Sequence, residues 1–168
     1  AVEVSGCAGT ATAGAALRCA GHRGVRNRGV GRRPAAGVTT TRAGPATGAD
    51  LPRLRYTEAV LLESMRLYPP VPSIPREPAI ETGSTTLGGY RIPAGSGLML
   101  PQWVVHRSPR WYDDPETFAP DRWDSDRAAD RPQFSFFPFG GGPRHCIGKQ
   151  FSMLEAKLSL ATVAQEYR

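Results

Sequence analysis

The sequence has 168 residues, of which 40% are hydrophobic, and it carries a formal net charge of +6. Its 19 glycines and 16 prolines make it rich in residues that interrupt helices and strands. No run of about 20 apolar residues and no apolar segment after a basic start is present, so neither a membrane anchor nor a signal peptide is predicted in these residues. A cytoplasmic location is favoured.

The first 49 residues differ in composition from the rest. Residues 1–50 contain seven arginines, two acidic residues and no aromatic residue, for a net charge of +5, whereas residues 51–168 carry a net charge of +1. Such a basic arm of low complexity is typical of a disordered segment. The abrupt change near Asp50 favours a second interpretation, in which the arm is translated in a shifted reading frame. Reading the other two frames upstream of codon 50 decides between them.

The arm also raises the hypothesis of nucleic-acid binding through its arginines, which would show a steep dependence on salt. Because the arm has no side chain that can stack on bases, we predict no specific nucleic-acid partner. Cys7 and Cys19 lie in the arm without a neighbouring histidine cluster, and three cysteines in total do not indicate a disulfide framework.

The first predicted helix spans about residues 53–68. Asp50 can cap its start, apolar residues recur at helical spacing, and two prolines end it. Glu63 and Arg66 stand three residues apart and therefore share one face. An exposed pair that contributes little to stability is the default interpretation, although a charge pair this close to apolar residues would need a further partner. Arg122 is a candidate, since a guanidinium can hold a carboxylate by two hydrogen bonds.

The rest of the chain predicts short strands, turns and two more helices. Gly88-Gly89 is a hairpin-type turn, and Pro93 to Gly95 is another turn. A short helix is expected near 103–107, followed by an irregular, aromatic and charged stretch. The last helix runs from Gly148 to Tyr167. Its apolar residues are expected along one side of the helix: Phe151, Leu154, Leu158, Ala161 and Val163.

The stretch PFGGGPRHCIG places a cysteine directly after a run of glycines. A phosphate-binding loop would need the pattern GxxxxGK[ST], which fails because Lys149 is followed by Gln150. A zinc site needs three or four Cys or His ligands, and only His145 and Cys146 are present. A catalytic cysteine paired with His106 is conceivable. No Asn or Asp orienter is identifiable for that pair, and His106 is also compatible with a structural role.

The remaining interpretation is a single thiolate ligand to a metal that brings its other ligands with it, as haem does. A thiolate ligand pushes electron density onto the iron and favours O–O cleavage. Glycines allow the backbone to lie against the macrocycle. Arg144 could neutralise a propionate, and the amides at the start of the following helix would lie near the sulfur.

Three short motifs, in order, resemble signatures of the cytochrome P450 family. FGGGPRHCIG is similar to the haem-binding pattern Phe-x-x-Gly-x-Arg-x-Cys-x-Gly. ESMR resembles the Glu-x-x-Arg of helix K, and FAPDRW resembles the segment that supplies a second arginine to it. The resemblance covers about residues 50–168 and implies that Glu63, Arg66 and Arg122 form a buried structural triad.

The resemblance implies further roles around the glycine run and after helix K. Cys146 would be the axial thiolate ligand of haem b, and Arg144 and Arg76 would contact its propionates. The other cofactor-binding residues implied are Phe139, Gly142 and Gly148. Substrate would be lined by residues just after helix K: Val71, Ser73 and Ile74.

The fold implied is mainly α with small β-sheets. The chain corresponds to the C-terminal portion of that fold, with helix K, short strands, a meander-like loop, the Cys-ligand loop and helix L. We expect residues 1–49 to be an arm and residues 50–168 a partial cytochrome P450 domain. Family members are much longer, so the oxygen-activating distal helix is expected to be missing.

The activity implied is monooxygenation, in which one atom of O2 enters a small apolar organic substrate and the other leaves as water. Electrons would come from a ferredoxin or a flavoprotein reductase on the proximal face, where Arg144 and Lys149 offer positive charge. We expect the chain alone to be inactive. Two alternatives stay open, a non-catalytic haem-binding remnant and a family member that isomerises oxygenated lipids.

Overall fold

The structure, a computed structural model, describes residues 45–78, 83–123 and 130–166. The predicted arm of residues 1–49 lies outside the described residues, apart from residues 45–49. In the described ranges the elements are, in chain order, a 3₁₀-helix Gly48–Arg53, α1 Arg55–Leu67, β1 Ile74–Arg76, β2 Ser84–Leu87, β3 Tyr90–Pro93, β4 Leu98–Leu100, α2 Gln102–Val105, a 3₁₀-helix Pro120–Trp123, a 3₁₀-helix Gly142–Arg144 and α3 Lys149–Glu166. This order of helices and short strands confirms the predicted fold class.

The first predicted helix has two parts in the structure. The chain enters through the 3₁₀-helix, where the backbone amide and the hydroxyl of Thr47 both donate to Asp50 Oδ2 at 2.9 Å. Pro52 lies inside this 3₁₀-helix, and α1 begins only after Leu54. Asp50 therefore closes the turn that precedes α1, whereas the sequence predicted that it would cap α1 itself.

Two antiparallel sheets of two strands each follow α1 in the described part of the chain. β1 pairs with β4, with Ile74 opposite Leu100. β2 and β3 form a hairpin whose turn is Gly88-Gly89, as predicted. These glycines have φ values of +56° and +86°, a region that a residue without Cβ enters at little energetic cost.

The last helix, α3, contains the five apolar residues predicted to lie along one side, but the structure buries them unequally. Phe151 and Leu154 are 70% and 44% exposed, whereas Leu160 and Ala161 are buried. Only the later part of α3 therefore contributes fully buried side chains to its packing against α1. A helical period shows that apolar residues share a face, but it does not show which of them a neighbour covers.

The buried interior is more polar than a small core usually is. The buried apolar residues are Leu54, Leu67, Tyr112, Leu160 and Ala161. The buried polar residues are Asp50, Thr57, Glu63, Arg66, Gln102, His106 and Ser135. Buried polar groups destabilise a fold unless they are hydrogen-bonded, so this interior depends on its polar contacts. None of the described helices is long and apolar enough to cross a bilayer.

Candidate functional site

Glu63 is the centre of a buried set of donors that we call the Glu63 cluster. Its Oε1 accepts hydrogen bonds from Arg66 Nη2, from the amide of Ala119 and from Arg122 Nε, each at 2.9 Å. Its Oε2 accepts from Arg66 Nε and from Trp123 Nε1, also at 2.9 Å. The side chains of Glu63 and Arg66 are fully buried, and that of Arg122 is 12% exposed. The structure thus brings together the three residues of the predicted triad.

Arg66 uses its whole guanidinium in this cluster. Besides the two bonds to Glu63, its Nη1 donates to the carbonyls of His106 at 2.8 Å and Pro115 at 2.7 Å. Its Nη2 also donates to the carbonyl of Thr117 at 3.2 Å. Five N–H groups thus meet five acceptors, the condition under which a buried arginine is stable. Arg66 thereby ties α1 to the segment between α2 and the second 3₁₀-helix.

The ionisation of Glu63 follows from these contacts. Burial alone would raise the pKa of this carboxyl group, because it penalises the charged form. The hydrogen bonds and charge of Arg66, the amide of Ala119 and the charge of Arg122 outweigh burial and lower the pKa of Glu63. Glu63 is therefore a buried carboxylate at neutral pH, with a structural rather than an acid–base role.

Tyr112 packs against the cluster with its ring. The guanidinium carbons of Arg66, Arg131 and Arg122 lie 5.0, 5.3 and 5.8 Å from the ring centroid, within the range of cation–π attraction. Burial raises the pKa of Tyr112, and its hydroxyl donates to the carbonyl of Ser135 at 3.0 Å. The ring therefore sits between the cluster and the chain that leads to the cysteine.

Residues 135–137, which we call the aromatic anchor, are held by three aromatic side chains. Besides the bond from Tyr112, His106 Nε2 accepts a hydrogen bond from the amide of Phe137 at 3.0 Å. Trp123 packs on the ring of Phe136 at a centroid distance of 4.4 Å. Trp123 belongs to the Glu63 cluster, and Tyr112 and His106 lie next to it. The cluster therefore supports the residues that lead into the segment carrying Cys146.

That segment is the Cys146 loop, residues 138–148. The amide of Gly140 donates to the carbonyl of Phe137 at 2.8 Å, and the amide of Cys146 donates to the carbonyl of Phe139 at 2.8 Å. Gly140 has a φ of +73°, which disfavours any residue with a Cβ. A Cβ at the next glycine, position 141, would lie 2.3 Å from the ring of Phe134. Positive φ values therefore favour glycine at positions 140 and 142, and a side chain at position 141 would have to displace the ring of Phe134.

The sulfur of Cys146 lies at the start of α3. A Cβ built on Gly148, the residue before α3, would lie 3.9 Å from Cys146 Sγ. Cys146 is exposed, and the next side chain, Ile147, is 96% exposed. A helix start carries free backbone amides and partial positive charge. The loop therefore presents an exposed sulfur next to the exposed apolar side chain of Ile147.

The other predicted site residues lie on β1, just before it or in the loop. Ile74 of β1 contacts the loop, since a Cβ at Gly140 would lie 3.5 Å from Ile74 Cδ1. Val71 is half exposed, and Ser73 Oγ is buried without a hydrogen-bond partner among the described residues. The predicted propionate contacts are Arg76 and Arg144, and neither forms an ion pair with a described residue. Nη1 of Arg76 donates to the carbonyl of Pro75 at 2.8 Å, and Arg144 is exposed.

Sequence reasoning gave no role to Tyr112 and Trp123, which join these parts, and it allowed a structural role for His106 without identifying its partner. Trp123 directly follows Arg122, and a buried indole N–H needs an acceptor, so its role could have been inferred from the motif. The acceptor role of His106 left no signal in the sequence, because its partner Phe137 is 31 residues away.

An open cavity of about 870 Å³ lies between α1, α3 and the Cys146 loop. Its walls are mixed, with the apolar residues Leu62, Phe139 and Phe151 beside the ion pair of Glu58 and Lys157. Cys146 itself does not line this cavity, but Phe139, His145 and Lys149, which lie close to it in the chain, do.

Comparison with known proteins places this sequence in a family. The family described as "Cytochrome P450" matches residues 7–168. This match begins upstream of Asp50, the residue near which the resemblance seen in the sequence begins. Across the described part of the chain, the Glu63 cluster and the Cys146 loop both lie within the matched range.

Relatives of bacterial and animal origin share this similarity. The chain is 44% identical to the protein "Cyclooctatin synthase" and 41% identical to "Cyclooctat-9-en-7-ol 5-monooxygenase", both from Streptomyces melanosporofaciens. These matches cover 71% and 73% of the chain and 26% of each relative. It is 40% identical to "Cytochrome P450 4g15" of Drosophila melanogaster over 74% of the chain and 21% of that relative. The chain thus spans about a quarter of the length of these curated relatives.

Proposed function

Because the chain belongs to the cytochrome P450 family, we propose that it supplies the cysteine-ligand part of a haem-thiolate monooxygenase. The observation that carries this proposal is the placement of an exposed cysteine sulfur at the start of α3, on a loop whose backbone is fixed by internal hydrogen bonds. The name of one relative, a 5-monooxygenase, supports the same reaction type.

The residues of the loop fit a haem group. Haem brings four nitrogen ligands of its own, so it needs a single protein ligand on this side, and Cys146 can be that ligand. Ile147 is almost fully exposed beside the sulfur, and Gly142 has no atom within 4 Å of a built Cβ. An apolar side chain and a thin backbone therefore leave room for a flat apolar group. Phe139 would pack on the same side.

Bound haem would supply the activation of O2 and the transfer of one oxygen atom to an organic substrate. The chain's own residues would position the group and its surroundings. Cys146 would hold the iron as a thiolate, and the amides of the first turn of α3 would stabilise that charge. Arg144 and Arg76 would neutralise the propionates by charge-assisted hydrogen bonds.

Substrate and electron donor would approach from opposite sides of the group. Val71, Ser73 and Ile74 lie at or before β1, and Ile74 contacts the loop, so this stretch would line a site for a small apolar substrate. On the proximal side, Arg144 and Lys149 would attract the acidic surface of a ferredoxin or a flavoprotein reductase. Both side chains are exposed, as such docking requires.

A carbon monoxide difference spectrum tests the ligand. The 168-residue chain is reconstituted with haem and reduced, and we expect a thiolate-type Soret shift. Cys146→Ser should lose that shift, whereas the matched variants Cys7→Ser and Cys19→Ser should keep it. An unchanged spectrum in Cys146→Ser, or loss of the shift in either control, would refute the assignment of Cys146.

A turnover assay tests the activity of the chain by itself. Since the chain spans only about a quarter of its curated relatives, we expect it to bind haem without oxidising a small apolar substrate when a reductase is supplied. Product formation that depends on Cys146 would contradict the expected inactivity while supporting the monooxygenase assignment. Free haem at the same concentration is the control.

A further inference from the structure

His106 connects the Glu63 cluster to the segment that carries the cysteine. Its carbonyl accepts a hydrogen bond from Arg66 Nη1 at 2.8 Å, and its ring nitrogen Nε2 accepts one from the amide of Phe137 at 3.0 Å. His106 is 0% exposed, so water does not compete for either contact. Among the described residues it thus bonds to the cluster through its backbone and to the aromatic anchor through its side chain.

The ring of His106 is held in one orientation. Its centroid lies 4.9 Å from that of Phe136, with a tilt of 41°, and 5.2 Å from that of Phe137, edge to face. Because Nε2 accepts a hydrogen bond, the neutral ring must carry its proton on Nδ1. A fixed ring with a defined tautomer specifies where the amide of Phe137 must lie.

The position of Phe137 is passed on to the cysteine by two backbone hydrogen bonds. The carbonyl of Phe137 accepts from the amide of Gly140, and the carbonyl of Phe139 accepts from the amide of Cys146, both at 2.8 Å. Each bond closes a turn of the same loop. A shift of Phe137 would therefore move the carbonyl that holds the amide of Cys146.

We propose that His106 is a positioning residue, whose unprotonated Nε2 fixes the amide of Phe137 and thereby the backbone of Cys146. The proposal rests on the proposed function only in that Cys146 is taken as the ligand. The hydrogen-bond path itself belongs to the chain without any cofactor. The positioning role of His106 and the proposed function of Cys146 can therefore be tested separately.

The tautomer of His106 is the first test. In a ¹⁵N-labelled 168-residue chain near neutral pH, long-range proton–nitrogen spectra should identify Nε2 of His106 as the unprotonated nitrogen. A proton on Nε2, or an amide of Phe137 that exchanges as fast as that of an unstructured peptide, would overturn the proposal at once.

Two substitutions then separate the acceptor from the bulk of the ring. His106→Phe keeps an aromatic ring but removes the acceptor, and His106→Gln can place an amide oxygen near the position of Nε2. We expect hydrogen exchange at the amides of Phe137 and Cys146 to rise about tenfold in His106→Phe, the effect of losing one hydrogen bond. In His106→Gln it should rise less than about threefold.

Val105→Ala is the matched control, since it removes bulk from the same short helix and leaves the acceptor in place. Exchange at Phe137 should stay near the wild-type rate in this variant. The proposal would be overturned if the amides of Phe137 and Cys146 exchanged at the same rates in His106→Phe as in Val105→Ala. It would also be overturned if His106→Phe raised exchange at Phe137 but not at Cys146. A failed haem spectrum with normal exchange results would refute the proposed function alone.

Discussion

The Glu63 cluster and the Cys146 loop are joined by a few hydrogen bonds, yet they are built in opposite ways. In the cluster, two fully buried charges meet five donors on Glu63 and five acceptors around Arg66. In the loop, the sulfur of Cys146 is exposed, and the side chain of Ile147 is 96% exposed. In the cluster, the hydrogen-bonding groups of Glu63 and Arg66 are all satisfied by described residues. In the loop, the side chains of Cys146 and Ile147 are exposed instead of packed.

This difference predicts that the Glu63 cluster contributes to stability and leaves the Cys146 loop free to bind a ligand. A buried carboxylate whose two oxygens are already hydrogen-bonded has no acceptor left for a substrate. Removing one partner of such a buried ion pair leaves the other charge uncompensated. An exposed sulfur contributes little to folding but is available to a ligand. The aromatic anchor lies between the Glu63 cluster and the Cys146 loop and is hydrogen-bonded to residues next to the cluster.

The largest effect is expected from removing the charge of Glu63. In Glu63→Gln, Arg66 and Arg122 keep their charges in a buried site, and an amide NH2 faces donors that need an acceptor. We expect the free energy of unfolding to fall by about 3–5 kcal/mol in urea titrations, or the cooperative transition to disappear.

Glu116→Gln is the matched control, because Glu116 pairs with Arg107 at 3.3 Å but its side chain is 68% exposed. This variant should lose less than about 1 kcal/mol. Similar losses in Glu63→Gln and Glu116→Gln would show that the buried cluster is not the main source of stability.

Acidification should weaken the cluster through His106. Burial, followed by the charge of Arg66, lowers the pKa of His106 from 6.5 to about 4, and the charge of Arg107 acts in the same direction. The unfolded chain therefore takes up a proton at a pH where the folded chain does not, so stability is complete above pH 6.5 and is lost as the pH falls to about 4. Below that, the lowered pKa of Glu63 adds a further loss.

Urea midpoints measured between neutral and acidic pH check this prediction. The wild-type midpoint should fall steadily below pH 6.5, and His106→Gln should remove the part of the slope above about pH 4. A slope that is unchanged in His106→Gln would assign the acid sensitivity to another group.

The sequence predicted the local parts of this arrangement better than the long-range ones. The spacing of Glu63 and Arg66 gives their shared face, and two glycines give the hairpin turn. Arg122 was a candidate partner because a guanidinium suits a carboxylate, but only the resemblance to a family joined it to Glu63 and Arg66 in a triad, since 59 residues separate it from Glu63. The contact of His106 with Phe137 depends on packing between distant segments, which neither propensity nor period encodes.

The smallest effect on the free energy of unfolding is expected at the exposed apolar residues of α3. Phe151 is 70% exposed, so Phe151→Ser removes little buried area and should change the free energy of unfolding by less than about 0.5 kcal/mol. Leu160, which is 4% exposed on the same helix, is the matched control, and Leu160→Ala should lose about 2–5 kcal/mol. If urea titration gave comparable losses, the start of α3 would belong to the stable region. The boundary of the stable region would then not lie between the Glu63 cluster and the Cys146 loop.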